Sequence, residues 1–296
     1  MITFYLPRQI KSDQSGYESL LQMHSRMEHL RRQTVALSFR NVTWIEANLT
    51  AVIGAMIEYL QSNENKVLFI ETDNFHRKND ILSRNGFFGY YGVQLTSWKP
   101  YDTQLDYKKF AEDQSTEYNE YIQNELIDNP EFPKHSVKLG NKIKENIYEL
   151  FENARTHGRC SNIHTCGQFY PAKKKLHITI VDTGTTIVKN VRDYLKKGTM
   201  PSHDCINWAM QTGHTTKNEN IPGGLGLGLI CEFIGLNNGK MQIVSSNGFW
   251  ELRKGKLNTT TLNFTFLGTI ANLEFNLSDN TTYFLKEENI NPNDIF

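Results

Sequence analysis

Three stretches between Glu149 and Leu229 hold residue types that could manage a flat, charged ligand: "ELFENARTHG", "VDTGTT" and "GHTTKNENIPGGLGLGL". In the first, Glu149 and Asn153 stand four apart, so on a helix a carboxylate and a carboxamide share one face. Asn153 is the kind of oxygen ligand that Mg²⁺ takes, and Glu149 could orient a water or act as a general base. A solvated helix face has the same pattern. In the second, Asp182 closes an alternating apolar run and Gly184 follows. A carboxylate there can accept from the exocyclic amine of a base, while glycine lets a ring lie against backbone; Asp-x-Gly is equally a common turn.

The third stretch crowds glycines before the apolar run "LICEFI". It is not a Walker loop, because no Lys follows the glycines, nor a dinucleotide fingerprint, because Leu229 stands where the third glycine belongs. What remains is a glycine-rich helix start, Gly224, Gly226 and Gly228, whose free N–H groups and positive dipole end suit a phosphate. The hydroxyls of Thr215 and Thr216 and the charge of Lys217 could fold over it; a plain flexible loop would read similarly. Cys160 and Cys166 flank His164, with His157 nearby, but their spacing fits no common zinc pattern.

Elements must position these groups. Ile143, Ile147, Leu150 and Ala154 form one apolar stripe, which predicts a long helix running to His157. Leu176, Ile178 and Ile180 alternate with His177, Thr179 and Val181, predicting a half-buried strand that ends at Asp182. Further strands are expected at "KMQIVSS", "FWELRK", "TLNFTF" and "TIANLEF", and a helix from Leu227. Upstream, strands "ITFYL", "VALSF" and "KVLFIE" alternate with two helical patterns and predict a small α/β unit over residues 1–97. Residues 98–135 read as a polar connecting helix, residues 136–275 as a second α/β domain, and residues 276–296 as a loosely held polar tail.

Composition narrows the function classes. Lys plus Arg equals Asp plus Glu, so no global field points to nucleic acid or an anionic membrane. The longest apolar run, Leu225 to Leu236, is interrupted by glycines and Glu232, and the N-terminus lacks the pattern of a signal peptide. A cytoplasmic protein is expected.

Taken in order, the three stretches resemble the N box and two glycine boxes of the GHKL ATP-binding superfamily, which takes in gyrase, histidine kinases and anti-sigma-factor kinases. The resemblance covers residues 136–275 and implies the α/β sandwich called the Bergerat fold, with ATP and Mg²⁺ as ligands. It implies that Asn153 holds Mg²⁺, that Glu149 is the general base, and that Asp182 reads the adenine amine beside Gly184. Gly224, Gly226 and Gly228 would then hinge the lid and touch phosphate, with Thr215, Thr216 and Lys217 in the lid. "GTIANLEF" is similar to a later family strand, which puts Thr269 at the adenine edge. One departure stands out: Thr186 occupies the second glycine of the first glycine box, which bears on lid mobility and turnover.

Residues 1–97 resemble a STAS domain, with Glu46, Ala47 and Asn48 where an Asp-Ser-Ser carries the phosphoacceptor hydroxyl. That hydroxyl is missing, which implies a docking or dimerising module. The expected function is an ATP·Mg²⁺-dependent regulatory protein acting on a protein partner or a second copy. A serine/threonine kinase acting on a STAS-like partner, and a nucleotide-binding module without chemistry, stand as the alternatives.

Overall fold

The computed structural model describes residues 1–95, 103–158, 160–211, 213–214, 216 and 226–289. Thr215, Lys217 and Gly224, and the side chain of His157, lie outside the described residues. The chain is an α/β protein with one parallel and one antiparallel major sheet.

The N-terminal unit builds a three-stranded parallel sheet, order β1-β3-β5, from β1 (Ile2–Tyr5), β3 (Thr34–Ser38) and β5 (Lys66–Ile70). Helices α1 (Gln14–Met27) and α2 (Thr50–Ser62) connect them. The short strands β2 (Gln9–Ile10) and β4 (Trp44–Ile45) pair separately, and α3 (Asp73–Lys78), α4 (Ile81–Arg84) and α5 (Phe87–Tyr90) close the unit. Asp13 starts α1 by accepting the Gly16 N–H at 2.8 Å, an N-cap that supplies one of the partners a helix start lacks.

The second sheet has five strands in the order β6-β7-β8-β10-β9: β6 (Gln104–Ala111), β7 (Asn162–Tyr170), β8 (Lys175–Asp182), β9 (Lys240–Arg253) and β10 (Lys256–Asn276). Its pairings β6–β7, β7–β8, β8–β10 and β10–β9 are all antiparallel. On one face lie α6 (Ser115–Tyr121), α7 (Val137–Asn153), α8 (Ile187–Leu195), α9 (Ser202–Ala209) and α10 (Gly226–Leu236). Their apolar sides share a core with Ile178, Ile180, Ile243 and Leu273. On the opposite face the N-terminal unit packs directly, so that Cys166, Val181, Val244 and Ile270 belong to the same core as Val35, Ile53 and Leu60. β7, β8 and the paired stretches 240–245 and 270–275 are therefore covered on both faces.

Double cover explains where the sequence pattern misled. Residues 98–135 were expected to be a connecting helix, yet Gln104–Ala111 is an edge strand. A register shift between Leu105 and Lys108 turns Leu105 to the helical face and Tyr107 to the N-terminal unit, which removes the period-two signal. Asn162–Tyr170 was not foreseen as a strand because polar His164 and Thr165 are fully buried within it. "KMQIVSS" and "FWELRK" form one strand, as do "TLNFTF" and "TIANLEF", the latter interrupted by irregularities between Thr261 and Thr269.

The tail expected to be loose is partly docked. Ser136 N–H donates to the Tyr283 carbonyl at 2.9 Å, the Ser136 hydroxyl to Glu288 at 2.6 Å, and the Tyr283 ring packs on Phe233. No helix among the described residues is long and apolar enough to cross a membrane.

Candidate functional site

Helix α7 begins with a side-chain cap, Ser136 accepting the Leu139 N–H at 3.1 Å, and buries Ile143, Ile147 and Phe151. This fixes its rotation. Glu149 and Asn153 then fall, half-buried, on the wall of an open cavity of about 1040 Å³ counting its solvent-filled mouth. After Asn153 the helix widens into a π-helical turn, Ala154–Gly158, the kind of irregularity that recurs at functional sites. The Cys160 thiol pins this turn by donating to the Ala154 carbonyl at 3.3 Å. Burial, with Asp182 nearby, pushes that thiol up to about 12, so it stays protonated.

The opposite wall is the end of the β8–β10 pair. Asp182 and Thr269 are direct partners in the ladder, and both line the cavity. Asp182 is only 6% exposed, and its Oδ1 accepts the Gly184 N–H at 2.9 Å. Burial pushes its carboxyl up to about 7, against the downward pull of the Gly184 and Thr269 backbone groups. A buried carboxylate poised near neutrality on a cavity wall is a functional-site signature.

Two glycines make this packing feasible. A Cβ on Gly184 would stand 2.1 Å from the Gly158 carbonyl oxygen, and one on Gly268 would stand 2.0 Å from the Asp182 carbonyl oxygen. Gly268 also has φ +144, a region that side chains rarely enter. Gly184 itself does not line the cavity; it lets the π-turn approach, and its neighbour Thr185 bonds the Gly158 carbonyl.

The cavity thus gathers Glu149, Asn153, Asp182, Thr216, Gly228 and Thr269, the described candidates apart from Gly184 and Gly226. Gly226 is the first residue of α10. The sequence reading missed Asn146. It lies on the same helical stripe as Glu149 and Asn153, is buried, and its Oδ1 accepts the Ile230 N–H at 3.0 Å, tying the first turns of α10 to α7. Its spacing of three from Glu149 and seven from Asn153 was the available signal. Also missed was an aromatic wall: Trp208 and His214 both line the cavity and stack with centroids 4.6 Å apart, and the His214 Nδ1–H donates to the Trp208 carbonyl at 2.9 Å. α9 carries no periodic run long enough to announce itself.

Thr186, the departure from the glycine pattern, has a local task. Its backbone is extended at φ −67 and ψ 151, and its Oγ1 accepts the Lys189 N–H at 3.0 Å as the N-cap of α8. Thr186→Ala is expected to cost about 1 kcal/mol, and Thr186→Gly only a few tenths, in urea unfolding. Equal losses would show that the hydroxyl does not cap the helix.

Of the cysteine and histidine cluster, His164 instead bonds Glu58 and Tyr107, and among the described residues no group of acidic, His and Cys side chains could hold a metal by itself. No protein-family model matches the chain, and no curated protein matches it.

Proposed function

We infer that this cavity binds an adenine nucleotide together with Mg²⁺, as in a GHKL-type ATP-binding domain. One observation carries the reading: groups from α7, the end of β8, the start of α10 and the late part of β10, suited to a metal, a base and a phosphate, line a single cavity. A sheet with helices on one face is the layering that the resemblance implies.

Asn153 is the metal-side oxygen donor in this reading, and Mg²⁺ is the kind of ion that one or two protein oxygens hold together with substrate phosphates and waters. Mg²⁺ supplies charge neutralisation on the phosphates. Asp182 accepts from the exocyclic amine, Thr269 borders the base, and Glu149 orients a water or takes its proton. The free N–H groups at the start of α10, around Gly226 and Gly228, face the anionic end. A regulatory role, with nucleotide state governing contact with a protein partner in the cytoplasm, fits the N-terminal unit. Glu46, Ala47 and Asn48, the positions that the STAS resemblance singles out, are buried in it.

The test is the thermal midpoint with ATP, ADP or GTP plus Mg²⁺, and with ATP plus EDTA. Ligand at ~100 times its Kd adds about 2.7 kcal/mol. A rise confined to adenine nucleotides with Mg²⁺ is expected, Asn153→Ala should abolish it, and Glu149→Ala should keep it while stopping phosphate release. No rise with any nucleotide would sink the reading; label passing from ATP to a second protein would convert it to a kinase.

A further inference from the structure

The face of the five-stranded sheet turned away from the cavity is built in rows. Val181, Ile270 and Val244 are ladder partners and form an apolar row beneath the N-terminal unit. The next row in the same direction, Thr179, Asn272 and Gln242, is polar and buried. Thr179 Oγ1 donates to Asn272 Oδ1 at 2.8 Å, and Asn272 Nδ2 to Gln242 Oε1 at 2.9 Å, so one hydrogen-bonded seam crosses β8, β10 and β9. The row after that is charged: Glu274 is the ladder partner of both His177 and Lys240, and its carboxylate meets them at 3.1 and 3.2 Å.

The N-terminal unit caps these rows with matching polar groups. Asn48 Nδ2 reaches Ser12 Oγ at 2.9 Å, Thr179 Oγ1 at 2.8 Å and Asn272 Oδ1 at 3.0 Å. Lys240 Nζ and Gln242 Nε2 both donate to the Ser12 carbonyl, at 2.6 and 3.2 Å, and Glu46 accepts the Ser12 N–H at 2.7 Å. Asn48 is fully buried, yet its Oδ1 has no partner among the described atoms. A buried amide with an unmet acceptor costs stability, and an apolar residue would avoid that cost. What the amide does that an apolar residue could not is bridge two specific strands.

Those strands are the ones that end at the cavity. The Thr179–Asn272 pair lies three residues along both strands from the Asp182–Thr269 pair, roughly 10 Å at the rise of a strand. An odd offset puts the two pairs on opposite faces. We propose that Asn48 is a positioning residue for the cavity: by clamping Thr179 to Asn272 from behind, the N-terminal unit sets the β8–β10 register and pitch that hold Asp182 beside Thr269. The unit is then a working part of the site, which accounts for a polar seam where apolar packing would have sufficed for adhesion.

The proposal concerns the shape of the cavity and holds whatever ligand enters it. Hydrogen exchange followed by mass spectrometry on the full chain tests it without ligand, in peptides covering residues 178–185 and 267–273. Asn48→Ala is compared with Phe75→Ala, which loosens the same unit through the Phe39–Phe75 contact, away from the seam. Temperatures are set the same interval below each variant's midpoint. Asn48→Ala should speed exchange in both peptides about tenfold, and Phe75→Ala should leave them within twofold of wild type. Thr179→Val removes the Asn48–Thr179 bond from the sheet side, and the Thr179–Asn272 bond with it, with little change of shape, and should reproduce the effect even if Asn48→Ala does not fold. Exchange unchanged in Thr179→Val, or raised equally by Phe75→Ala, would overturn the proposal. If the wild type also binds adenine nucleotide, the Kd should rise about tenfold in Thr179→Val; failure of the wild type to bind would count against the nucleotide reading alone, since the exchange result stands without it.

Discussion

Replacing Asp182 by Asn is expected to stabilise the ligand-free protein at pH 8 and, under the proposed nucleotide reading, to weaken the binding of adenine nucleotides. The folded carboxyl keeps its proton up to about pH 7, whereas its ordinary value is 3.8. Between those values folding takes up a proton, so this group's contribution to stability declines as pH rises through the window and is lowest above pH 7. At 1.36 kcal/mol per unit the full penalty is on the order of 4 kcal/mol. Asn keeps an oxygen for the Gly184 N–H and carries no charge to bury, so the variant should gain roughly 2–4 kcal/mol at pH 8 and nearly nothing at pH 4. Thermal midpoints from pH 4 to pH 8 measure this, with a rise of several degrees expected only at the alkaline end. A midpoint unchanged at pH 8 would mean that the carboxylate is not desolvated.

The nucleotide effect has the opposite sign. In the proposed reading an exocyclic amine donates to the charged carboxylate, a bond worth about 1.5–3 kcal/mol, so affinity should fall tenfold or more in Asp182→Asn. For the wild type, affinity should decline as pH drops below 7, by up to about tenfold per unit. Stability held back in the empty site and recovered on binding is the usual economy of a functional group in a dry pocket.

The second large effect is expected at Gly54, far from the cavity. It sits in the fully buried stretch Thr50–Ile57 of α2, between the two sheets, where glycine sacrifices about 1 kcal/mol of helix propensity relative to Ala. The reason is contact: a Cβ would lie 2.2 Å from the Tyr107 hydroxyl. That hydroxyl donates to His164 Nδ1 at 2.9 Å, and His164 Nε2–H donates to Glu58 at 2.8 Å. Burial pushes the Glu58 carboxyl up, but the bonds from His164 and Asn162 and the nearby Lys109 outweigh it and hold it at about 2. Gly54→Val should displace Tyr107, adding about 1–3 kcal/mol of overpacking to a similar cost for each buried group left unpartnered. A loss of at least about 3 kcal/mol in urea unfolding is expected, with Tyr107→Phe restoring part of it in the double variant. A loss under about 0.5 kcal/mol would show that α2 shifts freely against the sheet.

The main strands and first two helices of the N-terminal unit were legible as short apolar runs alternating with longer helix-forming segments. The same holds for α7, where Ile143 and Ile147 report one buried face against water; β8 is the strand its alternation predicted, but it is buried on both faces and not half-buried, because His177, Thr179 and Val181 face the N-terminal unit. From those two elements alone, Glu149, Asn153 and Asp182 could be named together. The sequence could not say that they share a cavity, because that depends on the β8–β10 pairing and on the rotation of α7 fixed by its core residues.

β6 lost its period to the register shift between Leu105 and Lys108, whereas β7 and the polar rows were illegible for another physical reason. Periodicity records the contrast between a face in water and a face in a core, and these strands have no face in water. Once α1 and α2 cover the second side, a buried His164, Thr179 or Asn272 is satisfied by partners that lie 30 or more residues away in the chain, and its polarity reads locally as exposure. The sequence alone determined which side chains could do chemistry; the packing of the N-terminal unit behind the sheet decided where they stand.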